Sequence, residues 1–144
     1  MSRLRITRWV TVFLFLYGVV GRADEKLDAA VKRLASVSTF AFGPVGFVGV
    51  ISKGEIDFKF VRSQSAPVAF ATFEKLYADG NSQAKAYALA GMKKLNPNRY
   101  KELLATAEAS TDQVEVMSGC VLMRESLGKV AKEIDGGEFR FRFR

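Results

Sequence analysis

The sequence contains no histidine among its 144 residues. Histidine is the usual general base near neutral pH and the commonest metal ligand. Its absence excludes Ser-His-Asp and Cys-His catalysis and nearly all zinc-site patterns. The fifteen acidic residues are scattered among lysines at helical spacing, which is typical of a solvated face. We therefore expect no catalytic residue, no metal site and no cofactor, and we predict that the protein is not an enzyme.

Cysteine is nearly absent as well. Cys120 is the only one, so no disulfide can form within the chain, and the domain must be stabilised by its apolar core. The neighbouring residues in "VMSGCVLM" are apolar on both sides, which favours a buried thiol. The alternative for a lone thiol in an exported protein is a link between two chains.

No acidic residue precedes Asp24, and the first eight residues contain three arginines. An apolar run over residues 9–20 follows, and the small residues of "GRA" come next. This order is typical of a signal peptide, here residues 1–23 with cleavage after Ala23. The alternative is an uncleaved anchor, but a bilayer span needs roughly 20 apolar residues and this run is shorter. We predict an exported protein, periplasmic or extracellular, with no transmembrane span in the mature chain.

Removal of residues 1–23 would lower the formal charge from +7 to +3, because this segment contains four arginines and no acid. So small a charge is weak support for nucleic-acid binding, and none is expected. The remaining length suits one domain, which we place at residues 24–137.

Four segments have the apolar spacing and end signals of amphipathic helices. These segments are residues 24–37, 65–80, 81–95 and 96–107. The cap of the third is Asn81 or Ser82, and the fourth has Asn96 before Pro97 at its first helical position. Connections of only a few residues make the last three antiparallel neighbours. The sequence therefore predicts an all-α domain of about six short helices.

Residues 82–92 align with residues 112–122 at a shift of 30, with a similar apolar stripe. This alignment favours two helical hairpins and places residues 114–123 in a helix. The β-branched residues and the "SG" of "VEVMSGCVLM" also allow a strand there.

"GNSQAKAYALAGMKKLNPNRYKELLATA" resembles a HEAT-type helical hairpin, and the resemblance covers about residues 65–135. It implies a short right-handed stack of antiparallel helical hairpins that binds other proteins or peptides along one surface. It supplies no catalytic residues.

The stretch 38–51 contains "AFGPVGFVGV", which has three glycines among apolar residues and no charged residue. The glycine spacing matches neither G-x-G-x-x-G nor the P-loop pattern, which argues against nucleotide binding. We predict a buried connection that fills the core, followed by a helix with Ser52 as its N-cap and Glu55 as the capping-box partner. The β-branched and aromatic residues of "IDFKFV" also allow a strand in this segment. If the stretch 38–51 is exposed instead, Phe42 and Phe47 become candidate binding residues.

In the C-terminal tail, residues 138–144, phenylalanine alternates with arginine from residue 139 onward, so an extended segment would present the two residue types on opposite sides. An arm that covers an apolar groove, an anionic-surface contact and pairing with a partner's sheet edge all fit this pattern. The candidate interaction residues are Phe139, Arg140, Phe141, Arg142, Phe143 and Arg144.

These observations lead to one preferred function. We expect an exported, non-enzymatic helical protein that binds a protein or peptide partner in the cell envelope or outside the cell. The alternatives are a small carboxylate-dependent hydrolase, and a peripheral protein that contacts anionic surfaces or membranes through the C-terminal residues.

Overall fold

The computed structural model describes residues 24–139. This part of the chain contains six helices and five short strands in two small sheets. The helices are α1 (24–35), α2 (Lys53–Arg62), α3 (Ala66–Asp79), α4 (Ser82–Leu95), α5 (Pro97–Glu108) and α6 (Leu127–Gly136). The strands are β1 (Phe40–Ala41), β2 (Pro44–Val45), β3 (Val50–Ile51), β4 (Gln113–Ser118) and β5 (Val121–Ser126). The fold is therefore mainly helical, and the prediction of an all-α domain is correct only in part.

The predicted helix starts are confirmed where a polar side chain precedes the apolar stripe. Asn81 accepts a hydrogen bond from the Ala84 backbone N–H at the start of α4, and Asn96 does the same for Arg99 at the start of α5. These caps satisfy backbone donors that have no partner inside the helix. The helices α3, α4 and α5 pack together in chain order, as short connections require.

The segment 113–126 differs from the prediction. It forms the antiparallel pair β4 and β5, with Val116 opposite Met123, and the helix predicted over residues 114–123 is wrong. Gly119 has φ +56° and is the first central residue of the two-residue turn. A glycine at this position is typical of a tight type II′ hairpin. The strand pair also removes the second helical hairpin, so neither the internal repeat nor a HEAT-type stack over residues 65–135 is correct.

Strand β1 lies beside β4 in parallel orientation, with Phe40 opposite Val116, and the sheet order is β1-β4-β5. Val114 and Val116 face the helices and are buried, while Glu115 between them points to the other face. Pairing between residue 40 and residue 116 is non-local, and no periodicity in either segment predicts it.

Aromatic rings form the centre of the core. Tyr87 on α4 contacts the rings of Phe40, Phe42 and Phe58 at centroid distances of 4.8, 5.2 and 5.7 Å. All three pairs are tilted or edge-on, as aromatic quadrupoles favour. The aromatic cluster joins the sheet to α2 and α4, so it fixes the start of the glycine-rich stretch 41–50.

Candidate functional site

The glycine-rich stretch forms a short hairpin on the surface. Strands β2 and β3 pair with Val45 opposite Val50, and residues 46–49 make the turn. Gly43, Gly46 and Gly49 have φ values of 81°, 72° and 70°, which L side chains rarely adopt. The glycines therefore shape the turn of this hairpin.

The side chains of this hairpin correct the prediction of a buried connection. Phe40 is buried and Phe42 is half-buried within the aromatic cluster. Phe47, in contrast, is fully exposed, and Val48 is nearly so. Because Phe47 is exposed, it becomes a candidate binding residue, whereas Phe42 is chiefly a core residue. The two strands of this hairpin pair with each other, and the side chains of its turn have no core to pack against. The turn is therefore exposed.

A second turn lies beside the first. The backbone N–H of Gly46 donates to the carbonyl of Gly119, 2.8 Å away, and so joins the β2–β3 turn to the β4–β5 turn. Both turns carry exposed apolar side chains. We refer to these as the apolar tip surface: Phe47, Val48, Val50, Ile51, Val121 and Leu122. Such clusters on soluble domains are typical of interaction sites.

The thiol of Cys120 lies in the same β4–β5 turn and is exposed. The prediction of a buried thiol is therefore wrong. The apolar neighbours of Cys120 suggested burial, but in a two-residue turn the chain reverses at this point and the turn residues face solvent. Cys120 is adjacent to the apolar tip surface.

A buried carboxylate holds the base of the β2–β3 hairpin. Glu55 Oε2 accepts a hydrogen bond of 2.7 Å from the Gly43 backbone N–H, and Glu55 Oε1 pairs with Lys59 Nζ at 2.7 Å. Ser52 caps α2 as predicted, because its hydroxyl accepts from the Glu55 backbone N–H. The Glu55 carboxylate does not complete a capping box but binds the hairpin instead. Sequence analysis identified Glu55 as a cap partner and missed this role.

Tyr87 fixes the strand that precedes the hairpin. Its hydroxyl donates to the Ala41 carbonyl at 2.9 Å and accepts from the Ala41 N–H at 3.1 Å. The hydroxyl thus takes the place of a neighbouring strand at the outer edge of β1. Burial raises the pKa of Tyr87, so it keeps its proton. The Cβ of an alanine at position 54 would lie 2.6 Å from this oxygen, so the glycine there gives Tyr87 its space.

A third buried group ties α1 to α2. Arg33 donates two hydrogen bonds, of 2.9 and 2.6 Å, to the carboxylate of Asp57. The bond to Asp57 raises the pKa of Arg33. Asp57 and Glu55 are thus both bound to structural partners, and together they fix the positions of α1 and of the β2–β3 hairpin relative to α2.

A cavity of about 330 Å³ lies behind the sheet, between β4–β5 and the end of α6. It is lined by Phe42, Val116, Met117, Ser118, Met123, Glu125, Glu133, Glu138 and Phe139. Burial raises the pKa of Glu133, and the charge of Glu125 raises it further. Sequence analysis missed this cavity, because it depends on the strand pairing.

Of the predicted C-terminal interaction residues, Phe139 is half-buried and its ring lies 4.9 Å from that of Phe40. Residues 140–144 lie outside the described part of the chain, as does the predicted signal peptide, 1–23. Among residues 24–139, no helix has both the length and the apolar character needed to span a bilayer. Within the same range, no cluster of three potential metal ligands occurs.

Comparison with known proteins gives no relative: the chain matches no protein-family model, no curated protein and no solved structure.

Proposed function

We propose that the protein is an exported, non-enzymatic binding protein that contacts a protein partner through the apolar tip surface. The observation that supports this function is the exposure of Phe47 and Val48 on a hairpin whose base is fixed by Glu55. Exposed apolar side chains lose little conformational entropy on binding when the backbone beneath them is already fixed. Burial of a phenylalanine and a valine contributes about 1.5–3 kcal/mol each.

A paired comparison tests the surface. The full chain, the variant Phe47→Ser/Val48→Ser and the control Val68→Ser are used to capture partners from envelope and culture fractions of the source organism. Val68 is also an exposed apolar residue, but it lies on α3. The partner should be retained by the wild type and the control and lost by the double variant. A partner retained equally by all three proteins would refute this surface.

Cys120 supplies a second readout that locates the contact. As the only cysteine, it can be labelled with a benzophenone maleimide without any substitution. The label should crosslink to the same partner, because Cys120 lies next to the apolar tip surface. Crosslinks that do not include the captured partner would place the interface elsewhere.

Export is the second part of the proposal and rests on the residues of 1–23. N-terminal sequencing of the protein from the envelope or culture fluid should give Asp24 as the first residue. A protein that retains Met1 would contradict cleavage.

Hydrolysis by a carboxylate pair is a second candidate function, favoured by one observation. Glu125 and Glu133 line the same cavity, and the pKa of Glu133 is raised. However, the ammonium group of Lys129 contacts both carboxylates, and a cation in this position favours binding over acid-base work. Loss of a measured glycosidase activity in Glu133→Gln, with the fold retained, would support hydrolysis instead.

A further inference from the structure

Among residues 24–139, the cavity behind the sheet is lined by more acidic side chains than the one lysine that pairs with them. Glu125, Glu133 and Glu138 line it. Lys129 is bonded to Glu125 and lies 3.6 Å from Glu133. Glu138 forms no ion pair within residues 24–139. Lys129 therefore pairs with two of the three carboxylates that line the cavity, in a protein whose formal charge is positive.

One carboxylate oxygen in this cavity is buried and has no partner. The side chain of Glu125 is only 9% exposed, and its Oε1 pairs with Lys129. Its Oε2 has no hydrogen bond from any of the described residues. A buried acceptor of this kind is costly unless a donor reaches it. The cavity is therefore lined by a glutamate whose carboxylate has an oxygen without a donor among the described residues, and a cationic donor would satisfy this group.

The rest of the lining indicates which cation fits. Residues 24–139 contain no cluster of carboxylates with the spacing of a metal site. The remaining wall is largely apolar and aromatic, with Phe42, Val116, Met123 and Phe139. Such a wall suits an aliphatic stem and the flat face of a guanidinium group, which stacks on aromatic rings. A guanidinium also donates in the fork geometry that carboxylates accept.

We propose that this cavity binds an arginine side chain from an extended peptide segment, with its guanidinium on the Glu125 carboxylate. The arginine has two sources with the same chemistry. Arg140 follows the lining residue Phe139 directly in the sequence, and Arg142 and Arg144 come after it. The other source is a different polypeptide. This site is separate from the apolar tip surface and does not depend on the function proposed for that surface.

Fluorescence anisotropy with a synthetic peptide tests the site. The probe is a labelled, N-acetylated peptide of sequence FRFRFR, and the matched probe has glutamine in place of each arginine. The proteins are the full chain, the triple variant Arg140→Gln/Arg142→Gln/Arg144→Gln, and each of these with Glu125→Gln. Glu115→Gln is the control, because Glu115 lies on the opposite face of the sheet and pairs with Arg124.

The arginine probe should bind, and Glu125→Gln should weaken binding about tenfold or more, since a charge-assisted hydrogen bond is lost. Glu115→Gln should leave affinity unchanged. Equal binding of the probe to the wild type and the triple variant means that the chain's own arginines do not compete for the cavity, so the arginine comes from another polypeptide. Binding to the triple variant alone identifies the chain's own arginines. Both outcomes support the site.

Other outcomes overturn the proposal: no binding to either protein, equal binding of the glutamine probe, or equal affinity with Glu125→Gln. Circular dichroism checks that each variant is folded. Glu138→Gln gives a second test, because Glu138 is exposed and its substitution leaves the core intact. It should also weaken the arginine probe, and unchanged affinity there would exclude Glu138 from the site.

Discussion

The hydroxyl of Tyr87 is the group whose removal tests the structure most directly. Tyr87→Phe deletes one oxygen and keeps the ring, which packs against Phe40, Phe42 and Phe58. The change withdraws two hydrogen bonds, of 2.9 and 3.1 Å, from Ala41. Any loss of stability then reports these bonds and not the apolar packing.

The expected magnitude follows from burial. Leaving a buried backbone group without its partner costs about 1–3 kcal/mol. Ser52 Oγ lies 3.5 Å from the Ala41 carbonyl, so the carbonyl keeps a weak donor while the N–H loses the Tyr87 oxygen. We expect a loss of about 2 kcal/mol, which is about a thirtyfold change in the unfolding equilibrium.

Urea denaturation followed by circular dichroism measures this loss, and Tyr77→Phe is the matched control. The Tyr77 hydroxyl donates to the Leu103 carbonyl at 3.1 Å from a half-buried position, where water can replace it. The control should lose less than about 1 kcal/mol. Hydrogen exchange at the Ala41 amide should accelerate only in Tyr87→Phe. Equal stability of the two variants, or an Ala41 amide as protected as in the wild type, would refute the role assigned to Tyr87.

Three further predictions use other parts of the chain. Gly91→Ala should destabilise the fold by about 1–2 kcal/mol in urea denaturation despite the higher helix propensity of alanine, because its Cβ would lie 2.5 Å from the buried ring of Phe73; a stability gain would contradict this packing. Burial and the charge of Glu125 raise the pKa of Glu133, so its ionisation destabilises the fold. The wild type should therefore lose stability relative to Glu133→Gln as pH rises from about 4 to 7. A constant difference in stability between the two proteins would contradict the raised pKa. The native protein should react stoichiometrically with Ellman's reagent at Cys120 within minutes, and a thiol that reacts only after unfolding would show that it is buried.

Local signals in the sequence were enough to locate the helices α4 and α5. Asn81, Asn96 and Pro97 predicted helix starts correctly, because capping depends on residues three positions apart in the chain. The apolar spacing of residues 81–95 likewise predicted the helix α4, which carries the buried Tyr87. The hydrogen bonds that Tyr87 makes to Ala41 join residues 46 positions apart, and no local pattern contains them.

The segment 113–126 shows where local reasoning failed. Val114, Val116 and Val121 have β propensity, and Gly119 in a tight turn completes the signature of a hairpin. The similarity of spacing to the preceding helix outweighed these signals in the prediction. In the structure β4 has a strand on each side, because β1 lies beside it and β5 pairs with its other edge.

The sequence by itself determined the chemistry of this protein and the position of its principal helices. It contains no histidine and one cysteine, so the side chains that it offers are mainly carboxylates, basic groups, hydroxyls and apolar groups. Tertiary structure decided which apolar residues are buried. Phe40 and Phe47 occur in similar glycine-rich, uncharged surroundings, yet one lies in the core and the other is fully exposed. The reason is that burial depends on which distant segments pair, here β1 with β4 and Gly43 with Glu55, and these contacts carry no period that a sequence can display.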